Sequence, residues 1–233
     1  KVEKELSKLL SNVKDFKIIV SYEKFYSDDE KNICKEISQL EFSEAWHYKL
    51  SGKIHSNFSY ELEYLNFYTK EEKIFKDSFI DELPKGSVSC GEISIDYRVY
   101  DKDPSGIEVI MNFINGNQDT KLSKTEIKDM LIDKSGISIF RNDFRIRPYG
   151  DKGFDWLNLD SKRVQNPSMA IGSEQINGKI SIESEEISGL KEKSARDGLY
   201  ENSNFYTLQR IADLSLSLLE KERFKYRQKA TKK

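Results

Sequence analysis

Apolar residues recur at helical spacing in four stretches of the chain. The first lies in residues 1–13, and the second is a helix that starts near Ser27 and continues to Leu40. A third follows Ser123, where Ser123 and Glu126 form a capping box before an apolar stripe. The fourth starts near Asn202 or Ser203 and presents one buried side, made of Phe205, Leu208, Ile211, Ala212, Leu218 and Leu219.

Alternating or short apolar segments predict the strands. The segment 16–20 is typical of a buried strand, and the aromatic-rich segments 46–54 and 58–68 predict a hairpin. Further strands are predicted at 88–100, at 137–141 and 144–147 around the turn Asn142-Asp143, and at 176–182. Residues 70–86 are charged and are interpreted as a loop with a short helix, and residues 148–178 as irregular chain, whereas 107–114 fits strand or helix.

The order of these elements favours an α+β fold with one mixed sheet and helices on one face. The β-rich segment that begins near residue 46 comes before the central helix, so the sheet would begin in an N-terminal extension. We place a boundary with any upstream domain near residues 20–40.

Composition excludes several classes of protein. The chain has 233 residues, of which 37% are hydrophobic and 12% aromatic, which indicates a folded core. It lacks a run of about 18 apolar residues, so no membrane partner is expected. Its 38 basic and 40 acidic residues nearly balance, so nucleic-acid binding would need a local patch. Two distant cysteines, Cys34 and Cys90, indicate reduced thiols and a cytoplasmic protein.

The sequence carries no familiar motif for catalysis or nucleotide binding. His47 and His55 have no evident ligand partners and are interpreted as ordinary histidines. The acidic side chains Glu183, Glu185 and Glu186 are interpreted as a solvated strand end rather than a magnesium site, so no metal residues are assigned.

One segment, 144–202, resembles a known protein family. It reads FRIRPYG, DWLNLD at 155–160, RVQNP at 163–167, QING at 175–178 and ARDGLYEN at 195–202. This order is similar to the segment that follows the ATPase domain in bacterial ATP-binding proteins of the GHKL superfamily, which are relatives of the heat-shock chaperones, MutL and the MORC ATPases. The pattern there is RPYG, DWLGLD, RxxNP, QxIG and NREGLIEN. This chain departs from it at Asn158, Ala195, Asp197 and Tyr200.

The resemblance implies a transducer domain with a ribosomal-protein-S-five-like fold and a left-handed βαβ crossover. Residues 1–40 would then be the tail of an upstream ATPase domain with its linker. Residues 41–220 would be the transducer, and residues 221–233 a basic C-terminal tail. On this interpretation the chain is a piece of a longer protein.

In that family the transducer places one cation in the ATP pocket of the preceding domain. The residue here that matches is Arg196, which is the catalytic residue that the resemblance implies, and Arg163 and Gln175 are further candidates for nucleotide contact. ATP and magnesium would be held by the upstream ATPase domain, the first expected partner, and not by this fragment. The fragment alone is expected to hydrolyse no ATP. A homodimer and DNA are further partners common in the superfamily.

The sequence also allows other interpretations of the candidate residues and of the whole chain. Arg196 could be an ordinary surface arginine that pairs with Asp197 or Glu192, and loop hydrogen bonds explain Arg163 and Gln175 equally well. The chain could also be a nucleic-acid-binding or protein-interaction module with no role in ATP turnover. In that case the tail would bind phosphates and stack bases through Lys221, Arg223, Lys225, Arg227, Lys229, Lys232, Lys233, Phe224 and Tyr226.

Overall fold

The computed structural model describes residues 18–22, 33–37, 45–116 and 121–231, with side chains for 45–116 and 121–230. Strands β1 (Ile18–Tyr22) and β2 (Ile33–Ile37) form an antiparallel pair. The strands of the main sheet are β3 (Tyr48–Ile54), β4 (Ser59–Asn66), β5 (Glu71–Ser78), β6 (Ile93–Val99), β7 (Gly136–Arg141), β8 (Phe144–Ile146) and β9 (Ile176–Ile182). The helices are α1 (Pro104–Gly116), α2 (Lys124–Asp133), α3 (Leu159–Gln165), α4 (Glu185–Ser188) and α5 (Ser203–Thr231), with a 3₁₀ turn at Ser173–Gln175.

The main sheet has seven strands in the order β5-β4-β3-β6-β9-β7-β8. Its described pairs are antiparallel except β7 with β9, which run parallel. The fold is therefore α+β with a mixed sheet, as the sequence predicts.

Side chains alternate across the central strands, so one face of the sheet is apolar. On β6 and β9 every second residue is buried, and the apolar stripe of α5 joins the same core. A second, smaller core lies around Tyr100, where it is built from α1, α2 and Ala45. The long helix α5 and the apolar face of the sheet are thus the two halves of the main core.

Several predicted elements are confirmed. Strands β3 and β4 form the expected hairpin, and β9 matches its predicted range. The Ser123 hydroxyl accepts from the backbone N–H of Glu126, whose carboxylate accepts from the Ser123 N–H in return. Asn142 and Asp143 both have positive φ at the turn between β7 and β8. The segment 107–114, whose sequence fits strand or helix, is helical. Asp103 accepts from the Gly106 N–H at the start of this helix.

Three predicted elements are wrong. The helix from Ser27 to Leu40 contains strand β2 in its described part, because residues four apart, such as Ile33 and Ile37, share a face in a strand as well as in a helix. The loop at 70–86 contains strand β5, whose charges are tolerated because it is the edge of the sheet. The irregular segment 148–178 contains α3. The helix predicted at 1–13 lies outside the described residues.

The last part of α5 docks through buried polar groups. Arg223 donates from its guanidinium to Asp101 at 2.9 Å, and Tyr48 donates its hydroxyl to the same carboxylate at 3.0 Å. Both Asp101 and Arg223 are buried. The helix is continuous across residue 221, so this part of the predicted basic tail is packed on the sheet.

His47 lies beside this pair and is fully buried. Its Nδ1 accepts from the Asp101 backbone N–H at 2.9 Å, so Nε2 carries the proton and donates to the Gly106 carbonyl at 3.1 Å. Burial lowers the pKa of His47, and the Asp101 carboxylate opposes this shift only in part. The ring is therefore a neutral connector between β3 and the start of α1.

Gly52 of β3 provides a test of the close approach between β3 and β4. A Cβ at this position would lie 2.1 Å from the Glu61 carbonyl oxygen, and φ is +149°. We expect Gly52→Ala to lower the free energy of unfolding by about 2–4 kcal/mol. Gly86→Ala is the matched control, because φ is +85° but no atom lies within 4 Å; it should cost about 1 kcal/mol. Equal losses in urea unfolding would contradict the steric argument.

Stability should depend on pH through His47. The unfolded chain binds a proton below about pH 6.5, whereas the folded state resists it, so the free energy of unfolding falls as the pH drops below 6.5. One such proton contributes a slope of at most about 1.4 kcal/mol per pH unit. We expect His47→Gln to reduce this slope in urea titrations between pH 7.5 and 5. An unchanged slope would show that His47 does not resist protonation.

Candidate functional site

Arg196 lies at the tip of a tight loop before α5. The loop is closed by a bridge between Glu192 and Leu199 and by a bond from the Lys193 N–H to the Gly198 carbonyl at 2.8 Å. The Arg196 N–H donates to the Lys193 carbonyl at 2.8 Å. Its φ is +56°, a left-handed conformation that is uncommon for arginine. The closed backbone of the loop thus holds Arg196 in a sparsely populated conformation.

The Arg196 side chain is exposed. Within the described part of the chain, no acceptor or carboxylate is paired with its guanidinium. Glu192, one of its two alternative partners, binds Arg141 at 2.6 Å instead. The guanidinium is therefore presented to solvent on a closed loop.

Tyr149 of the RPYG motif anchors the loop from below. Its hydroxyl accepts from the buried Leu199 N–H at 3.1 Å. A Cβ on Gly198 would lie 3.3 Å from that hydroxyl, and φ of Gly198 is +121°. Burial raises the pKa of Tyr149, so the hydroxyl that binds the Leu199 N–H stays neutral. Arg145 supports Tyr149 in turn, because its Nε donates to the Tyr149 carbonyl at 2.8 Å.

An aromatic cluster connects Tyr149 to α5. The ring of Trp156 lies 5.4 Å from that of Tyr149 and 6.0 Å from that of Phe205. The indole N–H of Trp156 donates to the Ile137 carbonyl at 2.9 Å, and Gln209 donates to the Trp156 carbonyl at 2.8 Å. Trp156 thus packs its loop onto the sheet and the helix.

Asn158 stands where the resembling pattern has Gly. Its φ of +54° and ψ of +38° place it in the left-handed region, just before α3. Asparagine tolerates this conformation better than most residues with a side chain. The departure from the pattern therefore keeps the backbone conformation that glycine would allow.

Arg163 and Gln175 contact each other. The Arg163 guanidinium donates to the Gln175 Oε1, and Gln175 is buried. A Cβ on Gly172 would lie 2.8 Å from Arg163 Cδ, so the two residues close the loop between α3 and β9 at a point that requires glycine. Among the described residues, neither side chain is hydrogen-bonded to Arg196. Their pairing across 12 positions had no signal in the sequence.

Metal and membrane sites have no counterpart in the part of the chain that the structure describes. No group of three His, Cys, Asp or Glu side chains in 45–116 and 121–230 is arranged to hold a metal ion. None of the described helices has the length and apolar character needed to cross a bilayer. Glu183 instead accepts from the Glu92 backbone N–H at 2.7 Å.

The basic C-terminal segment offers fewer free groups than its sequence suggests. Arg223 is buried against Asp101, and the Tyr226 ring is stacked on Tyr68 at 5.4 Å. Both residues belonged to the nucleic-acid interpretation of the tail, and both are part of the fold. Lys221, Lys225, Arg227 and Lys229 are exposed, and Lys225 is paired with Glu222 at 2.6 Å.

Comparison of the chain with protein-family models, with curated proteins and with solved structures finds no match.

Tyr149→Phe tests how the loop is held. The variant leaves the buried Leu199 N–H without an acceptor, which costs about 1–3 kcal/mol. We expect faster hydrogen exchange at the Leu199 amide and a loss of global stability within that range. Tyr206→Phe, on the exposed side of the same aromatic cluster, is the control and should leave both unchanged. Protection of Leu199 that survives Tyr149→Phe would refute the anchoring role.

Proposed function

We propose that the chain is the transducer region of a GHKL-type ATPase. In this role Arg196 contacts the γ-phosphate of ATP bound to the preceding domain. ATP binding would close that domain onto this chain, and the chain would relay the closure to the region that follows it. The observation that carries the proposal is the presentation of Arg196, an exposed and unpaired guanidinium on a closed loop that Tyr149 of RPYG holds in place.

The contacts among the motifs support this proposal. Tyr149 of RPYG binds the backbone of Leu199 in ARDGLYEN, and its ring contacts Trp156 of DWLNLD. Arg163 of RVQNP binds Gln175 of QING. Motifs that are up to 50 residues apart therefore contact each other in two groups, which is expected if the motifs of each group have a common task.

The chemistry of the side chain suits a phosphate. A guanidinium stays charged at any working pH and can bind two phosphate oxygens at once. Arg196 has no partner among the described residues to give up before it binds, and its loop is already closed by backbone hydrogen bonds. The entropic cost of placing the charge is thus reduced in advance. When bound, ATP would supply the phosphoryl group that is transferred, and magnesium would neutralise charge on its phosphate oxygens.

The relay would run through α5. Asn202 caps the start of this helix, because its Oδ1 accepts from the Phe205 N–H at 2.9 Å, while its Nδ2 donates to the Gly189 carbonyl at 2.8 Å. The loop closes at Leu199, three residues before Asn202, so a displacement of the Arg196 loop would reach the helix start through this short connection. With 29 residues, α5 spans about 44 Å, so it carries such a displacement to the far end of the sheet.

Arg196→Ala tests the proposal in the native polypeptide with its ATP-binding domain. Loss of a phosphate-contacting arginine costs about 10³ to 10⁵ in rate where such residues act in trans, and we expect the low end, about 10³ in kcat. Arg196→Lys should retain part of the rate, because a lysine keeps the charge but not the bidentate geometry. Steady-state ATP hydrolysis is the measurement.

Arg210→Ala is the matched control, since it removes an exposed arginine of α5 away from the loop and should leave turnover unchanged. Full turnover in Arg196→Ala would contradict the assignment of Arg196. The region encoded ahead of Lys1 is a second test. An Asn-bearing helix followed by DxGxG is expected there, and its absence would overturn the proposed function as a whole.

A further inference from the structure

The joint between α5 and the sheet contains polar side chains with no partner. We call Tyr64, Asn66, Asp101 and Arg223 the polar joint. Three of its buried atoms have no hydrogen-bond partner among the described residues: Tyr64 Oη, Asn66 Nδ2 and Arg223 Nε. A buried polar atom without a partner costs about 1–3 kcal/mol, so three at one place call for a common cause.

The three atoms belong to neighbouring side chains. Tyr64 and Asn66 are two residues apart on β4 and point to its buried face. Asn66 is paired in register with Tyr48, and the Arg223 guanidinium lies 5.7 Å from the Tyr48 ring centre. Burial raises the pKa of Tyr64. Arg223 acts to lower it, and so does the Asn66 amide, which lies close to the hydroxyl but not in the geometry of a hydrogen bond. The amide and the guanidinium therefore both act on the Tyr64 hydroxyl.

The orientation of Asn66 is fixed by the backbone. Its Oδ1 accepts from the Tyr68 N–H at 3.0 Å, so Nδ2 must be the group that faces the joint. Arg223 Nε can only donate, because Arg has no acceptor. The missing group must accept at least two hydrogen bonds, and the Tyr64 hydroxyl can accept from it or donate to it.

The charged side chains around the polar joint are already paired, so the species that binds there is expected to be neutral. Arg223 is already paired with Asp101 at 2.9 Å. The adjacent Glu222 is paired with Lys73 at 2.5 Å and with Lys225 at 2.6 Å, and Lys73 also binds Glu71 at 3.0 Å, so each cation is matched by a carboxylate. No uncompensated positive charge therefore remains at the joint to attract an anion such as chloride. A water molecule accepts two hydrogen bonds and donates two, which matches the atoms present.

We propose that one buried water molecule binds Asn66 Nδ2, Arg223 Nε and Tyr64 Oη, and joins α5 to strand β4. It accepts from the amide and the guanidinium and donates to the hydroxyl. The water binds Nε of the Arg223 guanidinium, whose Nη2 binds Asp101. This site is independent of the ATPase proposal, because it is built only from described residues of the fold.

The first test is a crystal structure of this chain at about 1.8 Å or better. We expect a single peak of density within about 2.7–3.2 Å of all three atoms. Three outcomes overturn the proposal: no density at the site, density for a protein side chain there, or the three atoms bonded directly to one another.

The second test is whether one substitution, Tyr64→Phe, raises or lowers the equilibrium constant of unfolding. If the water is present, Tyr64→Phe removes one of its three partners, and the unfolding equilibrium constant should rise about tenfold, the equivalent of 1.4 kcal/mol. If the hydroxyl is merely unpaired, its removal leaves the constant unchanged or lowers it, and the proposal is overturned. Tyr60→Phe, on the same face of β4 but at its rim, is the control and should change the constant less than twofold.

Discussion

The packing of α5 across the seven-stranded sheet is the contact on which the rest of the structure depends. Its first four turns bury an apolar stripe that includes Phe205, Leu208 and Ile211 against the alternating residues of the central strands. Burial of such side chains stabilises by about 1.5–3 kcal/mol each, so this stripe is a large part of the fold's stability. Because the helix is one continuous element, the loop before it and the joint at its far end are fixed relative to each other.

The far end of α5 uses a different kind of contact. After Leu219 the buried stripe continues through Glu222 and Arg223, so charges take the places that leucine or isoleucine filled before. A buried ion pair adds little net stability, because desolvation offsets the attraction between its charges. The pair of Asp101 and Arg223 instead fixes where the helix docks. A charge left unpaired in the core would cost several kcal/mol, so the helix docks in the position that brings these two side chains together. Tyr48 adds a further bond to the same carboxylate.

Sequence patterns predict the elements whose structure is fixed by interactions between residues close together in the chain. The capping box at Ser123 and the Asn142-Asp143 turn depend on neighbours in the chain, and both were found from sequence. Strand β5 was missed, because its charged residues are stable in a strand only through pairing with β4 at the sheet edge. The same limit hid the polar part of the α5 stripe. Arg223 is indistinguishable from a solvated tail residue until Asp101, 122 positions away, is brought to it.

The loop of Arg196 combines two properties that rarely occur together by accident. A left-handed backbone at a residue other than glycine costs free energy, and such conformations persist only where the surroundings impose them. Here the surroundings are the closed loop and the Tyr149 hydroxyl that binds its backbone, yet the Arg196 side chain binds nothing in the described chain. A fold that needed only a turn at this point could use glycine or asparagine without that cost, as it does with Asn158 before α3. Since the guanidinium makes no contact in the described packing, this backbone conformation is the feature from which we propose a partner outside the fold that requires a charge at this place.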